Sequence, residues 1–137
     1  MDIDSDLLFV YGTLRPPFTN LYAQHLRQHS RYVGDGKFPG QLFNLGNYPG
    51  AIYLPKSAVN VYGSIYNIST NKEQLLTYLD NYEGIGEAFE KPHEYIRTVI
   101  EVSSGDSSVA CWIYLYTLTV TGKQLISSGD YVAFLGL

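Results

Sequence analysis

Two stretches of this 137-residue chain carry residue types that could do chemistry. In Leu79-Asp80-Asn81-Tyr82-Glu83-Gly84 an apolar-periodic segment ends on a carboxylate followed by glycine. If Glu83 is tucked at a pocket mouth, desolvation raises its pKa toward the range useful for proton transfer. Left facing solvent, it is an ordinary helix-end glutamate. The second stretch, Leu7-Leu8-Phe9-Val10-Tyr11-Gly12-Thr13-Leu14-Arg15, is a short apolar run that breaks at a glycine into hydroxyl and basic residues. It reads as a buried strand delivering a loop, where Gly12 lets backbone approach a ligand; the alternative is a plain turn. The sequence has no GxSxG, CxxC pair, HExxH, P-loop or dinucleotide glycine fingerprint, so no metal or nucleotide chemistry is expected. His25 and His29 stand at metal-ligand spacing, but no Glu or Cys completes a set, and they read as solvated. The single cysteine, Cys111, lies between Ala110 and Trp112 in an apolar run and reads as a packing residue.

The elements that must position these residues follow from pattern and punctuation. Pro16-Pro17 forbids an immediate helix, and Thr19 or Asn20 then offers a cap to a short helix over Leu21–Arg27. From Tyr32 to Gly46, glycines and Pro39 interrupt the apolar residues, which predicts short strands and tight turns. A turn running into a strand is expected over 48–53 and a strand over 59–68, with Gly63 marking a bulge or a close approach to another backbone. Leu75, Leu76 and Leu79 share one helical face, with Glu73 placed to answer a Thr70 cap and Gly84 to end the helix. Ile85 to Glu94 lacks periodicity and reads as a loop long enough to be a lid, carrying Glu87 and Glu90. Alternation over 95–102 and an apolar return over 109–118 around Ser103-Ser104-Gly105-Asp106 predict a hairpin. A short apolar pair and a Ser-Gly-Asp turn close the chain. Many short strands with two brief helices imply an α+β fold, a small mixed β-barrel flanked by short helices. A barrel of this size can hold one small ligand.

Length and composition bound the partners. The chain is expected to form one domain over residues 1–137, with 1–6 a flexible arm. Nine basic against thirteen acidic residues, without a basic cluster, argue against nucleic acid, whose binding rests on Lys and Arg meeting phosphates. The acidic start Met1-Asp2-Ile3-Asp4 is unlike a signal peptide, and no apolar run has bilayer length, so a cytoplasmic protein without membrane association is expected.

Five motifs in order carry a family resemblance: Val10-Tyr11-Gly12-Thr13-Leu14-Arg15, Tyr48-Pro49-Gly50-Ala51, Val61-Tyr62-Gly63-Ser64-Ile65-Tyr66, Leu79-Asp80-Asn81-Tyr82-Glu83-Gly84 and Tyr95-Ile96-Arg97. Together they resemble the gamma-glutamylcyclotransferase-like superfamily, nearest to its small bacterial members and the gamma-glutamylamine cyclotransferases. The resemblance implies a cavity between the first loop and the glutamate, a small-molecule γ-glutamyl substrate, cyclisation to 5-oxoproline, and no cofactor. By the same resemblance Glu83 is the general acid/base. Tyr11, Gly12, Thr13 and Leu14 bind the glutamyl end, Tyr95 is a pocket wall, Arg97 is structural, and Tyr131 is a further candidate wall. The chain departs from the family at Pro16-Pro17-Phe18-Thr19, ahead of Asn20. Glu87 and Glu90, if they faced the pocket, would favour a cationic leaving amine. The competing reading is a non-catalytic small-ligand-binding module that uses the same cavity.

Overall fold

The computed structural model describes residues 4–86, 89 and 91–137. Seven strands and three helices follow in the order β1 (Leu7–Val10), α1 (Leu21–Gln28), β2 (Arg31–Asn44), β3 (Pro49–Tyr53), β4 (Asn60–Asn67), α2 (Lys72–Tyr82), β5 (Tyr95–Ser104), β6 (Ser107–Tyr116), β7 (Gln124–Leu125) and α3 (Tyr131–Leu135). Five of them, β2-β4-β1-β6-β5, form a closed barrel, because β5 returns to β2 through Lys37 opposite Ser103. The β1–β6 pairing is parallel and the others in the ring are antiparallel. β3 and β7 extend the second half of β2.

The apolar run at the start of the chain has a direct cause in this layout. Along β1 the side chains alternate, and both faces are covered. Phe9 joins Phe38, Val61, Ile65, Val102 and Ile113 in one core cluster, while Leu8 and Val10 join Ala23, Leu26, Leu75 and Leu79 in a second, under α1 and α2. A strand buried on both faces loses the polar alternation of a half-exposed one. Leu14, on the loop that leaves β1, packs in the same cluster as the buried faces of α1 and α2.

Each helix is placed by local chemistry. Asn20 caps α1, its side-chain oxygen accepting from the Ala23 N–H at 2.8 Å. The expected Thr70 cap does not form: the α2 N-cap is Asn71, without a side-chain cap bond. A missing cap costs about 1 kcal/mol, whereas burying Leu75, Leu76 and Leu79 contributes roughly 1.5–3 kcal/mol each, so packing rather than capping holds α2. The third helix was not anticipated, although Asp130, whose carboxylate accepts from the Ala133 N–H at 3.2 Å, is a legible cap.

A further expectation is corrected. The Gly- and Pro-rich stretch from Tyr32 to Gly46 does not break into short strands and turns. It is one 14-residue strand with a bulge between Tyr32 and Gly34. Its glycines sit where the strand is crowded: a Cβ on Gly36 would fall 2.7 Å from Val102 Cγ1 and 2.9 Å from Ile65 Cδ1. Residues Asp4 to Asp6 of the N-terminal arm make contacts with α2 and β6. Lys72 Nζ lies 2.8 Å from the Asp4 carboxylate and 3.0 Å from that of Asp6, and the Trp112 indole N–H donates to the Ser5 carbonyl at 2.9 Å. Met1 to Ile3, the rest of that arm, lie outside the described residues. No helix among the described residues is long and apolar enough to cross a membrane.

Candidate active site

A cavity of about 290 Å³ opens where the end of β1, the end of α2 and the start of β5 converge. It brings together Tyr11, Gly12, Thr13, Leu14, Glu83 and Tyr95, six of the residues singled out from sequence. A volume of this size suits one small metabolite.

The loop after β1 is held on three sides. The Asn20 side-chain amide donates to the Thr13 carbonyl at 2.7 Å, so the residue that caps α1 also ties the loop to it. Arg15 pairs with Asp130 at 2.8 Å, fixing the far end of the loop to the start of α3. Thr13 Oγ1 and the Tyr82 hydroxyl share a hydrogen bond of 2.6 Å, which joins the loop to α2. Gly12 lies against the Pro49 ring, where a Cβ would come within 2.8 Å of Cγ. Among the described residues no acceptor meets the N–H groups of Gly12, Thr13 or Leu14. Successive backbone N–H groups without partners form a concavity suited to a carboxylate.

Glu83 is the C-cap of α2, followed by Gly84 in the left-handed region at φ 74°. No group among the described residues hydrogen-bonds its carboxyl, and it borders the cavity. Burial pushes its pKa up to about 8, and the neighbouring Glu94 and Asp80 add to the rise. Its place at a helix C-terminus acts in the same direction, since the dipole there disfavours negative charge. The arrangement is a carboxyl able to gain or lose a proton near neutral pH, on one cavity with amides that have no acceptor among the described residues.

The tyrosines around it serve as walls rather than as acids. The Tyr11 hydroxyl donates to the Tyr114 carbonyl at 2.6 Å and accepts from the Ala51 N–H at 3.2 Å. The Tyr95 hydroxyl donates to the Pro49 carbonyl at 2.8 Å. Burial raises the pKa of both well above the usual phenol range, so these two present ring faces and no free hydroxyl to a ligand. Tyr131 does not reach the cavity. It is buried in the core, stacked on Phe18 at 6.0 Å and on Phe134 at 6.3 Å.

Sequence reasoning missed Tyr48, Tyr82, Glu94 and Tyr114 as lining residues. Glu94 accepts from the Tyr48 hydroxyl at 2.7 Å, a contact between residues 46 apart that no local spacing announces. Tyr114 was readable only as one residue of an apolar strand. Glu87 and Glu90, expected at the pocket mouth, lie outside the described residues. Arg97 is structural, as expected: its guanidinium grips Asp80 through Nε at 2.7 Å and stacks 4.6 Å from the Trp112 ring. Cys111 is buried in the core, where desolvation pushes its thiol pKa up to about 12. The His25 ring lies 4.2 Å from that of His29 and 4.2 Å from that of Tyr78, and among the described residues no group of three or more His, Cys, Asp or Glu is placed to hold a metal ion.

A closed five-strand barrel whose first loop and helix-end glutamate share one cavity defines the class, and the sequence match agrees: the chain belongs to the gamma-glutamyl cyclotransferase, AIG2-like family, whose model matches residues 8–133. Among its relatives, the gamma-glutamylcyclotransferase family protein YtfP of Escherichia coli K12 is 33% identical over 126 residues, covering 91% of this chain and 95% of that protein. The gamma-glutamylaminecyclotransferase of Mus musculus is 31% identical over 121 residues, covering 78% of this chain and 75% of its own. The crystal structure of a mouse AIG2-like protein superposes with a TM-score of 0.72 at 28% identity, over 92% of this chain and 87% of that one. The solution structure of YtfP from Escherichia coli gives 0.64 at 31% identity, over 92% and 96%.

Proposed function

We propose that the protein cyclises a γ-glutamyl amine or γ-glutamyl amino acid to 5-oxoproline, with release of the amine. The observation that carries the reading is that the Glu83 carboxyl and the N–H groups of Gly12, Thr13 and Leu14, all without a partner among the described residues, line the same cavity. The amides hold the glutamyl α-carboxylate, and Glu83 takes a proton from the α-ammonium. The freed amine attacks the γ-carbonyl, the new N–C bond closes a five-membered ring, and the old amide C–N bond breaks. Two protons leave the α-nitrogen in all, and Glu83 relays them to the leaving amine, which departs as an ammonium. A pKa of about 8 on Glu83 lies close to that of an α-amine, near 8, so the first transfer is almost thermoneutral. Ring closure within one bound molecule otherwise needs only a held geometry. The test is a 5-oxoproline release assay across γ-glutamyl amines and amino acids. Product is expected, and thermal stabilisation by these ligands without product across the panel overturns the reading in favour of a binding module.

Within this reading the leaving amine is cationic. Glu94 lines the cavity beside Glu83, and among the described lining residues there is no Lys or Arg to receive an anionic leaving group. The name of the mouse relative, a gamma-glutamylaminecyclotransferase, agrees. Turnover of γ-glutamyl-ε-lysine is expected to exceed that of glutathione by about tenfold or more in kcat/KM, and Glu94→Gln to narrow that ratio severalfold. Faster turnover of glutathione by the wild type rules this preference out.

A further inference from the structure

Nothing hydrogen-bonds the Glu83 carboxyl among the described residues, so its place depends on the turn of helix that carries it. That turn is held from outside at Tyr82, through Thr13, and by a charged contact at Asp80. Asp80, one helical turn before Glu83, takes the Arg97 guanidinium in a two-point contact, Nε to Oδ1 at 2.7 Å and Nη2 to Oδ2 at 3.2 Å. The Tyr114 hydroxyl donates to the same Oδ1 at 2.7 Å. Arg97 and Tyr114 are cross-strand partners in the β5–β6 hairpin, and Trp112, under the guanidinium, belongs to β6 as well. The Asp80 backbone closes the motif, its carbonyl accepting from the Ile85 N–H at 2.8 Å beyond Gly84. The ion pair is largely enclosed, with side-chain exposures of 26% for Arg97 and 21% for Asp80.

We propose that Asp80 is a positioning residue for Glu83: clamped by Arg97 and Tyr114, it fixes the last turn of α2 against the β5–β6 hairpin and so holds the Glu83 carboxyl in the cavity. The inference rests on the cyclotransferase reading for its consequence in turnover, but its geometric content stands without it. The clamp also sets the local field. The groups facing Glu83 are Asp80 and Tyr82 on α2, Glu94 and Tyr95 at the start of β5, Tyr114 on β6, Tyr11 after β1 and Tyr48 before β3. All five phenols are shifted upward and stay protonated through the neutral range, which leaves the carboxylates of Glu94 and Asp80 as the charges next to Glu83, with Arg97 held against Asp80. Asp80 keeps a carboxylate near Glu83, and Arg97 offsets it.

A purely structural clamp and this one differ in what two substitutions do. Asp80→Asn removes the negative charge and leaves Arg97 uncompensated. Arg97→Gln leaves Asp80 uncompensated. The titration of Glu83 is followed by carbon NMR on protein labelled at glutamate carboxyls, assigned by its loss in Glu83→Gln. The midpoint is expected to move down by about half a pH unit or more in Asp80→Asn and up by a similar amount in Arg97→Gln. In both, kcat is expected to fall about tenfold or more, with KM changed less than about threefold, because the carboxyl and not the binding loop is displaced. Unmoved midpoints, or shifts of the same sign in both variants, overturn the proposal. If Asp80→Asn does not fold, the sign of the Arg97→Gln shift decides it. Absence of 5-oxoproline release by the wild type would overturn the functional reading instead, while the NMR titration still decides this one.

Discussion

Glu83→Gln is expected to abolish 5-oxoproline release, lowering kcat by about 10³-fold or more, while 5-oxoproline and γ-glutamyl amines still bind within about threefold of wild type. The amide copies the shape of the carboxyl but cannot carry a proton. Stability should move the other way. The carboxyl titrates near 4.5 when the chain is unfolded and at about 8 when folded. Between those values the folded state holds a proton that the unfolded state releases. The neutral carboxyl is therefore tolerated in full below about pH 4.5, and wild-type stability declines as pH rises toward 8. Glu83→Gln lacks this slope. At pH 8 it is expected to be more stable by about 2 kcal/mol, or roughly 5–10 °C in Tm, a figure set below the full shift because the residue is partly open to the cavity. Wild-type kcat/KM is expected to rise with pH through about 8 as Glu83 ionises. Turnover near the wild-type level in Glu83→Gln removes Glu83 from the mechanism.

Gly63→Ala is expected to be severely destabilising for a single added methyl group. Gly63 lies on β4, opposite Gly36 of β2, and β4 is also the antiparallel partner of β1. A Cβ at Gly63 would overlap the Val10 carbonyl oxygen and come within 2.6 Å of the Phe9 ring. The carbonyl belongs to a barrel strand and the ring to a packed core, so neither can give way locally. The expected loss is about 2–4 kcal/mol, a fall of about 10 °C or more in Tm by calorimetry. Val10 is the last residue of β1, and displacing it moves the loop from Tyr11 to Leu14. The folded fraction is therefore expected to lose about 10²-fold in kcat/KM as well. A wild-type Tm in Gly63→Ala is incompatible with this account.

How far the sequence could be read depended on the range of the interaction involved. Helices α1 and α2, the strand after Pro49 and the β5–β6 hairpin follow from periodicity and turn residues within a few positions. The long β2 is not legible in the sequence because glycines and a proline are locally turn signals. They serve close packing and an irregular pairing, which only the strands beside them reveal. Helix α3 was missed because its five residues are too short for periodicity to show.

The amino-acid sequence by itself determined the two ends of the candidate site: a buried strand ending at Gly12, and a helix ending at Glu83 before Gly84. Local rules suffice for both, since a strand–loop and a helix C-cap are made by neighbours in the chain. The tertiary structure decided what those ends do. It closed five strands so that residues some seventy positions apart share one cavity, and it spent the Tyr11 and Tyr95 hydroxyls on backbone carbonyls. It also brought Glu94 and the Asp80–Arg97 pair beside Glu83. Desolvation and the field of neighbouring carboxylates depend on what surrounds a group in space, so the carboxyl's proton affinity became readable only once the barrel had closed.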